Sequence, residues 1–455
     1  MYKILPAVFT AFFLVSAQAI AIDYFIDPSD GSDKAAGTSE REAWKTTKPL
    51  KDITWNPGDK LLLQAGDTLR QPLRFHDIRG SSENAWVISR YGDGPNPVID
   101  GNGADAALYF FNSAYVVVEQ LTIINPQGMN GIYMEAKDAG ELNNVIIREV
   151  EVTNVFEASR EVSEPPKTRG GIVFEVEMGD RPSWWNGIDI LNCHIHDLGS
   201  CGITIGSDYK VVKEYEGGDA RYPNLGVRIA HNKIHDIVRD GAIIRQCRGG
   251  VMEYNEVSRT GLVAVSNGLW WYDSDSCYIQ YNEGYHCKAA FDKDGAPFSI
   301  DNSSTRCVIQ YNYSHDNEGA GYMLFGHDDF GYGNIIRHNI SVNDHTNNAS
   351  EGIGAIAVVS RVKDALVANN TIIAGPSTEA MLGHRDWDGL PREVTYEGNL
   401  FVGNGLAYFG HQVLPAGRFN NNFFINIPNL PKELKDQQRI PSYFKQQVER
   451  ALGRK

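Results

Sequence analysis
The chain has 455 residues, 42% of them hydrophobic and 22% charged, apolar enough for a large core and too apolar for a disordered chain. Lys and Arg number 42 against 57 Asp and Glu, a formal charge of -15, which argues against a nucleic-acid binder because such a protein shows a basic surface. Gly is high at 45 and Asn is frequent, a mix that points to many turns and an all-β chain.

Residues 1–21 read as a secretory signal. Lys3 supplies its charge, the apolar run from about Leu5 to Val15 is too short to span a bilayer, and Ala19-Ile20-Ala21 is a small-x-small cleavage site. The expectation is a secreted or periplasmic protein, cleaved near Ala21, with no membrane attachment. Residues 22–100, with an extended start and turns of the Pro-Gly-Asp type, are expected to form an N-terminal cap and the first coils. Residues 101–425 are expected to be repeats, and 426–455 a short C-terminal helical cap over the last coil, whose strand edges would otherwise stay unpaired. The whole is expected to be one domain.

The repeat is visible as a recurring phrase. It runs Ile190-Leu191-Asn192-Cys193-His194-Ile195-His196-Asp197, then Ile229-Ala230-His231-Asn232-Lys233-Ile234-His235-Asp236, and returns around Asn255, Asn282, Asn312, Asn339, Asn370 and Asn399. The intervals between these Asn residues, counted from Asn192, are 40, 23, 27, 30, 27, 31 and 29. A period of that size with β-type alternation fits one coil of a parallel β-helix, and the Leu-x-x-Leu-x-Leu pattern of leucine-rich repeats is absent. The Asn reads as a turn residue that tolerates left-handed geometry and stacks into a hydrogen-bonded ladder.

A second strand recurs in each coil: Ile172–Glu175, Ile203–Gly206, Ala242–Arg245, Leu269–Tyr272, Phe298–Asp301, Met323–Gly326 and Ile356–Val359. Its first and third positions are expected to face the interior and its second and fourth to face outward. None of the six cysteines has CxxC spacing, which argues against a zinc site. Cys277 and Cys307, each five residues before its Asn, are expected to stack as buried thiols. His194, His196, His235, His286 and His315, beside the Asn turn, read as a stacked turn feature.

With Tyr24–Asp33, Asn56-Pro57-Gly58-Asp59-Lys60-Leu61 and Pro97-Val98-Ile99-Asp100-Gly101 added, the chain resembles the secreted bacterial members of the pectin-lyase-like superfamily over roughly residues 24–425. The resemblance implies a single-domain right-handed parallel β-helix. Its members include polysaccharide lyases, glycoside hydrolases, epimerases, esterases and non-catalytic adhesins, so the chemistry must be argued from the site. Asp294-Gly295 leading to Asp301 is similar to the aspartate-rich strands of β-helix hydrolases. The Asn-Thr-Asp, Gly-His-Gly and Arg-Ile-Lys motifs of polygalacturonases are missing.

Stacked coils about 4.8 Å apart place the fourth strand positions in one outward row that includes Arg245, Tyr272 and Asp301. The densest acidic patch is Asp273, Asp275, Asp292, Asp294, Asp301, Asp328 and Asp329, with His327 beside it. Crowded like charges raise the pKa of one member, producing the acid and ionised carboxylate that glycoside hydrolysis needs. The candidate catalytic residues are therefore Asp301, Asp273, Asp294, His327, Arg245 and Tyr272. Candidate sugar contacts are Trp270 on the groove floor, Glu175, Arg361, and the aromatic residues of coil-interrupting segments, Trp184, Trp185 and Trp387, with Tyr209, Tyr215 and Tyr222.

Three functions stay open at this point. The first is a secreted glycoside hydrolase that needs no cofactor. The second is a Ca²⁺-assisted polysaccharide lyase in the same groove, with Asp275 and Asp328 among the ion's ligands and Arg245, Tyr272 or Lys293 moving the proton. The third is a non-catalytic carbohydrate-binding surface protein. The expected partner is a polysaccharide or oligosaccharide, with neither nucleic acid nor membrane involved, and the expected state is a monomer.

Overall fold
The computed structural model describes residues 20–157, 165–177, 179–206, 223–347, 353–411 and 417–435, with 446 and 450. Residues 1–19, which carry most of the expected signal, lie outside that set, as do 207–222 with Tyr209, Tyr215 and Tyr222.

Described strands stack into three parallel sheets of 12, 13 and 15 strands, in which each strand pairs with the corresponding strand of the coils before and after it. Stacking already begins inside the first hundred residues, where Asp23–Ile26 pairs with Lys60–Gln64. The 12-stranded sheet holds the second strand of each coil and is called here the groove sheet. Its register confirms the alternation: Ile172, Phe174, Ile203, Ile205, Leu269, Trp271, Phe298 and Ile300 all point inward and are at most 1% exposed. At the end of the chain the short helix Lys432–Lys435 buries Leu434 against the last coils.

Two details of the repeat differ from the sequence reading. The ladder asparagines are Asn232, Asn255, Asn282, Asn312, Asn339, Asn370, Asn399 and Asn422, each amide donating to the next side-chain oxygen at 2.9–3.0 Å. The preceding coil fills that place with Cys193, whose N–H donates to Asn232 at 2.9 Å, so Asn192 is one residue out of frame. The left-handed residue is the one before each ladder Asn, as at His231, Tyr254, Tyr281, Tyr311 and His338. These five put their rings outside in a stack with centroids 5.0–5.2 Å apart. The Asn is thus selected to satisfy buried backbone groups and not for its own backbone angle.

The second detail is a one-residue slip on the groove sheet. Phe298 pairs with Tyr322 and Ile300 with Leu324, so Phe325, and not Gly326, follows Asp301 in the outward row. An aromatic pair, Phe298 with Tyr322, fills the interior there at 5.8 Å between centroids. All six cysteines are free and buried; Cys277 donates its N–H to the Cys307 sulfur at 3.4 Å, stacked as expected.

Candidate active site
Outward positions of the groove sheet are not all open to solvent. Val173, Thr204, Ile243, Trp270 and Ser299 are at most 3% exposed. Part of the cover is the segment 165–169. Its backbone carbonyls take hydrogen bonds from two successive coils: Pro166 from the Ser200 hydroxyl at 2.6 Å, and Pro165 and Lys167 from the next coil's Arg239 at 2.5 Å and Arg245 at 3.2 Å. The Lys167 ammonium then lies 4.5 Å over the Trp270 ring.

The chain enters these strands through a column of glycines that lets neighbouring coils approach closely. A Cβ on Gly241 would stand 2.6 Å from the Gly268 carbonyl oxygen, and one on Gly268 would stand 2.5 Å from that of Pro297. This corner seats Asp240, which is fully buried. It accepts the Trp270 indole N–H at 3.1 Å and the Asn267 N–H at 3.0 Å, and pairs with Arg239 at 3.4 Å.

Asp294 and Asp301 flank the next groove strand, Phe298–Asp301. The turn carrying Asp294 uses left-handed backbone at Phe291, Asp294 and Gly295. Both neighbouring coils anchor it: Gly295 N–H donates to the Ser266 carbonyl at 2.9 Å, and Glu318 takes the Ala289 N–H at 3.1 Å and the Lys288 ammonium at 2.7 Å. Asp301 ends the strand, is 7% exposed and accepts the Ser299 hydroxyl.

Burial pushes the Asp301 carboxyl up to about 8, and the charges of Asp294 and Asp240 push the same way against the pull of Ser299 and Lys167. Asp294 is raised to about 6, mainly by burial, with Asp240 adding to it and Lys167, Lys293 and Arg239 opposing. Two carboxyls within electrostatic reach, both raised, hold one proton between them near neutral pH. Such a pair can protonate a leaving oxygen while an ionised partner attacks or activates water.

The other sequence-predicted residues fall into distinct places. Arg245 and Tyr272 share a row with Asp301, as their register requires. The Arg245 guanidinium is 4% exposed and bonded to the Lys167 carbonyl and the Thr204 hydroxyl, so it braces the cover. Trp270 lies on the floor but beneath Lys167, with its N–H on Asp240. Asp273 is a left-handed corner residue after its strand, and the carboxylate bearing hardest on Asp301 is Asp294. Glu175 lies four strands from Asp301 along the sheet, roughly 19 Å at the usual strand spacing, bound to Tyr133 and Arg169.

C-terminal of Asp301, His327 faces Asp388 at 3.5 Å, and Arg361 binds the same carboxylate at 3.2 Å. Trp387 is 41% exposed beside Phe325, with Arg385 over its ring. This group forms a wall one to three coils beyond the aspartates.

Three expectations are corrected. Trp184 and Trp185 do not rise beside the groove, because they belong to strand Ser183–Leu191 of the 15-stranded sheet; Trp185 is core against Phe174, and Trp184 donates to Glu141. Asp275 is not available as a Ca²⁺ ligand in the groove: it lies in a bridge between Arg248 and Thr305, paired with Arg306, which holds its pKa down together with the Thr305 hydroxyl. The histidines at 194, 196 and 235 are on strands of the 13-stranded sheet, not in turns. Asp328 falls in strand Tyr322–Tyr332, but its side chain lies outside the described residues, as do those of Asp292 and Asp329.

Sequence reading missed Asp240, Arg239 and Lys167. Asp240-Gly241 repeats the Asp294-Gly295 dipeptide at the entry to a groove strand, and that recurrence was the available signal. Lys167 carried none, since its place depends on a segment folding back over two later coils.

Three parallel sheets wound coil on coil define a right-handed parallel β-helix protein of the pectin-lyase-like fold. Residues 180–341 match the family described as the right handed beta helix region. The chain is 22% identical over 513 aligned positions to a lacto-N-biosidase of Bifidobacterium longum subsp. longum, covering 90% of this chain and 31% of that protein. It thus spans about a third of the length of this relative. Among solved structures, the GH136 lacto-N-biosidase of Eubacterium ramulus superposes with a TM-score of 0.67 at 20% identity, over 89% of this chain and 68% of that one. The A-module of the mannuronan C-5 epimerase AlgE6 of Azotobacter vinelandii gives a TM-score of 0.54 at 14% identity, over 81% of this chain and 91% of that one.

Proposed function
We propose that this protein is an exported glycoside hydrolase acting on an oligosaccharide, with Asp301, the member of the pair raised further, as its acid and Asp294 as its nucleophile or base. The observation that carries the reading is that pair: Asp294, half-buried, and Asp301, buried, flank one strand within electrostatic reach of each other and of the Lys167 ammonium, and both are raised. The likeness to two lacto-N-biosidases supports hydrolysis over elimination. Arg239, Asp240, Arg245 and Trp270 position the cover and the floor. Trp387, Arg361 and His327 offer an aromatic face and polar groups to sugar units bound beyond the aspartates. No metal is required in this scheme.

The competing reading is a Ca²⁺-assisted lyase or epimerase, which the epimerase fold likeness keeps in view. A panel of neutral and uronic oligosaccharides, with Ca²⁺ or with chelator, separates the two. New reducing ends without ultraviolet absorbance, unaffected by chelator and lost in Asp294→Asn and Asp301→Asn, are expected. Absorbance from an unsaturated uronide that disappears with chelator would overturn the hydrolase. On an activated aryl glycoside, azide rescue that yields a glycosyl azide of inverted configuration would assign the nucleophile.

A further inference from the structure
On the 13-stranded sheet, away from the groove, three imidazoles converge. His194 and His196 stand on strand His194–Leu198, and His235 on Lys233–Ile237, paired in register with His196. One ligand atom from each lies within 4.8 Å of the others, and the Nε2 atoms of His194 and His235 are 2.8 Å apart. From the preceding coil, Glu151 brings Oε1 to 3.3 Å from His196 Nε2.

Two of the rings are oriented by carboxylates. Asp197 Oδ2 lies 2.8 Å from His196 Nδ1, and Asp236 Oδ2 lies 2.7 Å from His235 Nδ1. Each carboxylate accepts from its ring's Nδ1 side, where Arg259 also approaches His235 at 3.2 Å, while Nε2 of His194 faces that of His235 and Nε2 of His196 faces Glu151, the atoms a bound cation would draw together. Arg259 bonds Asp236 at 2.6–2.7 Å and holds it in place. Lys233, next to His194 across the coils, directs its ammonium toward Glu256 at 3.7 Å. Carboxylate-backed imidazoles are the usual surroundings of a metal-bound histidine. Ligands on a tetrahedral Zn²⁺ at about 2.1 Å stand about 3.4 Å apart, a spacing these atoms already bracket.

We propose that His194, His196, His235 and Glu151 form a site for a divalent transition-metal ion of the Zn²⁺ type, which clamps three consecutive coils of the solenoid. Protein purified without a polyhistidine tag, stripped with chelator and dialysed, would be titrated with Zn²⁺ against a chromophoric chelator and, separately, with Co²⁺. Expected are one ion per chain, a visible cobalt spectrum of tetrahedral type, and a rise in melting temperature with Zn²⁺. His194→Gln and His235→Gln should abolish all three. Asp236→Asn, which leaves every ligand in place, should weaken binding roughly 10–100-fold. No stoichiometric binding, or binding that survives His194→Gln with His235→Gln, would overturn the proposal. Unchanged circular dichroism of the metal-free variants guards against a folding defect.

Discussion

Replacing Asp301 by Asn perturbs activity and stability in opposite directions. In the folded protein this carboxyl is held to about 8, and in the unfolded chain it titrates at about 3.9. Below about pH 4 both states hold the proton and the group costs nothing. Between those values only the folded state keeps it, so stability falls as pH rises, and above about 8 the loss levels off. At pH 7 the difference spans roughly three units, an upper bound of ~4 kcal/mol. Relaxation around the site and the lost attraction to Lys167 trim the gain from removing the charge to about 1–3 kcal/mol. Asn keeps an oxygen for the Ser299 hydroxyl. Denaturant melts of parent and Asp301→Asn at pH 4, 6 and 8 should show the variant more stable at pH 8, less so at 6 and level at 4. Hydrolysis by the variant should fall about 10²–10⁴-fold. Equal stability at every pH, or a gain that does not grow with pH, would refute the reasoning, because it would mean that Asp301 ionises in the fold as it does in the open chain.

The parent enzyme should show a bell-shaped pH–rate profile, rising through about 6 as the pair loses its first proton and falling through about 8 as it loses the second; a flat profile across that range would exclude the pair. Lys167→Met removes a cation that holds both carboxyls down, so both limbs of the profile should move to higher pH; a shift the other way would place Lys167 elsewhere. Gly319→Ala would put a methyl 1.9 Å from the Asp294 carbonyl oxygen. Steady-state kinetics on it should show lower kcat, with about 1–3 kcal/mol lost in denaturant melts. Asn282→Ala leaves Asn255 and Asn312 without their ladder partner and frees the Met252 and Gln280 carbonyls, so it should cost about 3 kcal/mol or more in the same melts.

The solenoid was legible in the chain because the coils repeat the same demands: inward apolar residues at alternate positions throughout and, from Asn232 to Asn422, a buried Asn that satisfies the turn. Those demands are local, and successive coils restate them, so one copy out of frame, such as Asn192, does not hide the rest. The row of Arg245, Tyr272 and Asp301 followed from the same period. At Tyr322 the frame was lost, since a tyrosine filling the interior reads as surface when its hydroxyl is the only cue; in the structure that hydroxyl bonds the carbonyls of Asn312 and Ile340.

What the chain by itself determined is therefore the architecture and the stretch where carboxylates gather, both consequences of spacing along the sequence. Tertiary structure alone decided which carboxylates come within electrostatic reach of one another. Asp294 couples to Asp301 through a left-handed turn held by two other coils, and Lys167 reaches them from more than a hundred residues upstream by way of carbonyls that Ser200, Arg239 and Arg245 happen to meet. It also sent Asp275 to two arginines and Trp185 to the core. Charge and burial act through space, and a linear pattern encodes space only where the repeat holds.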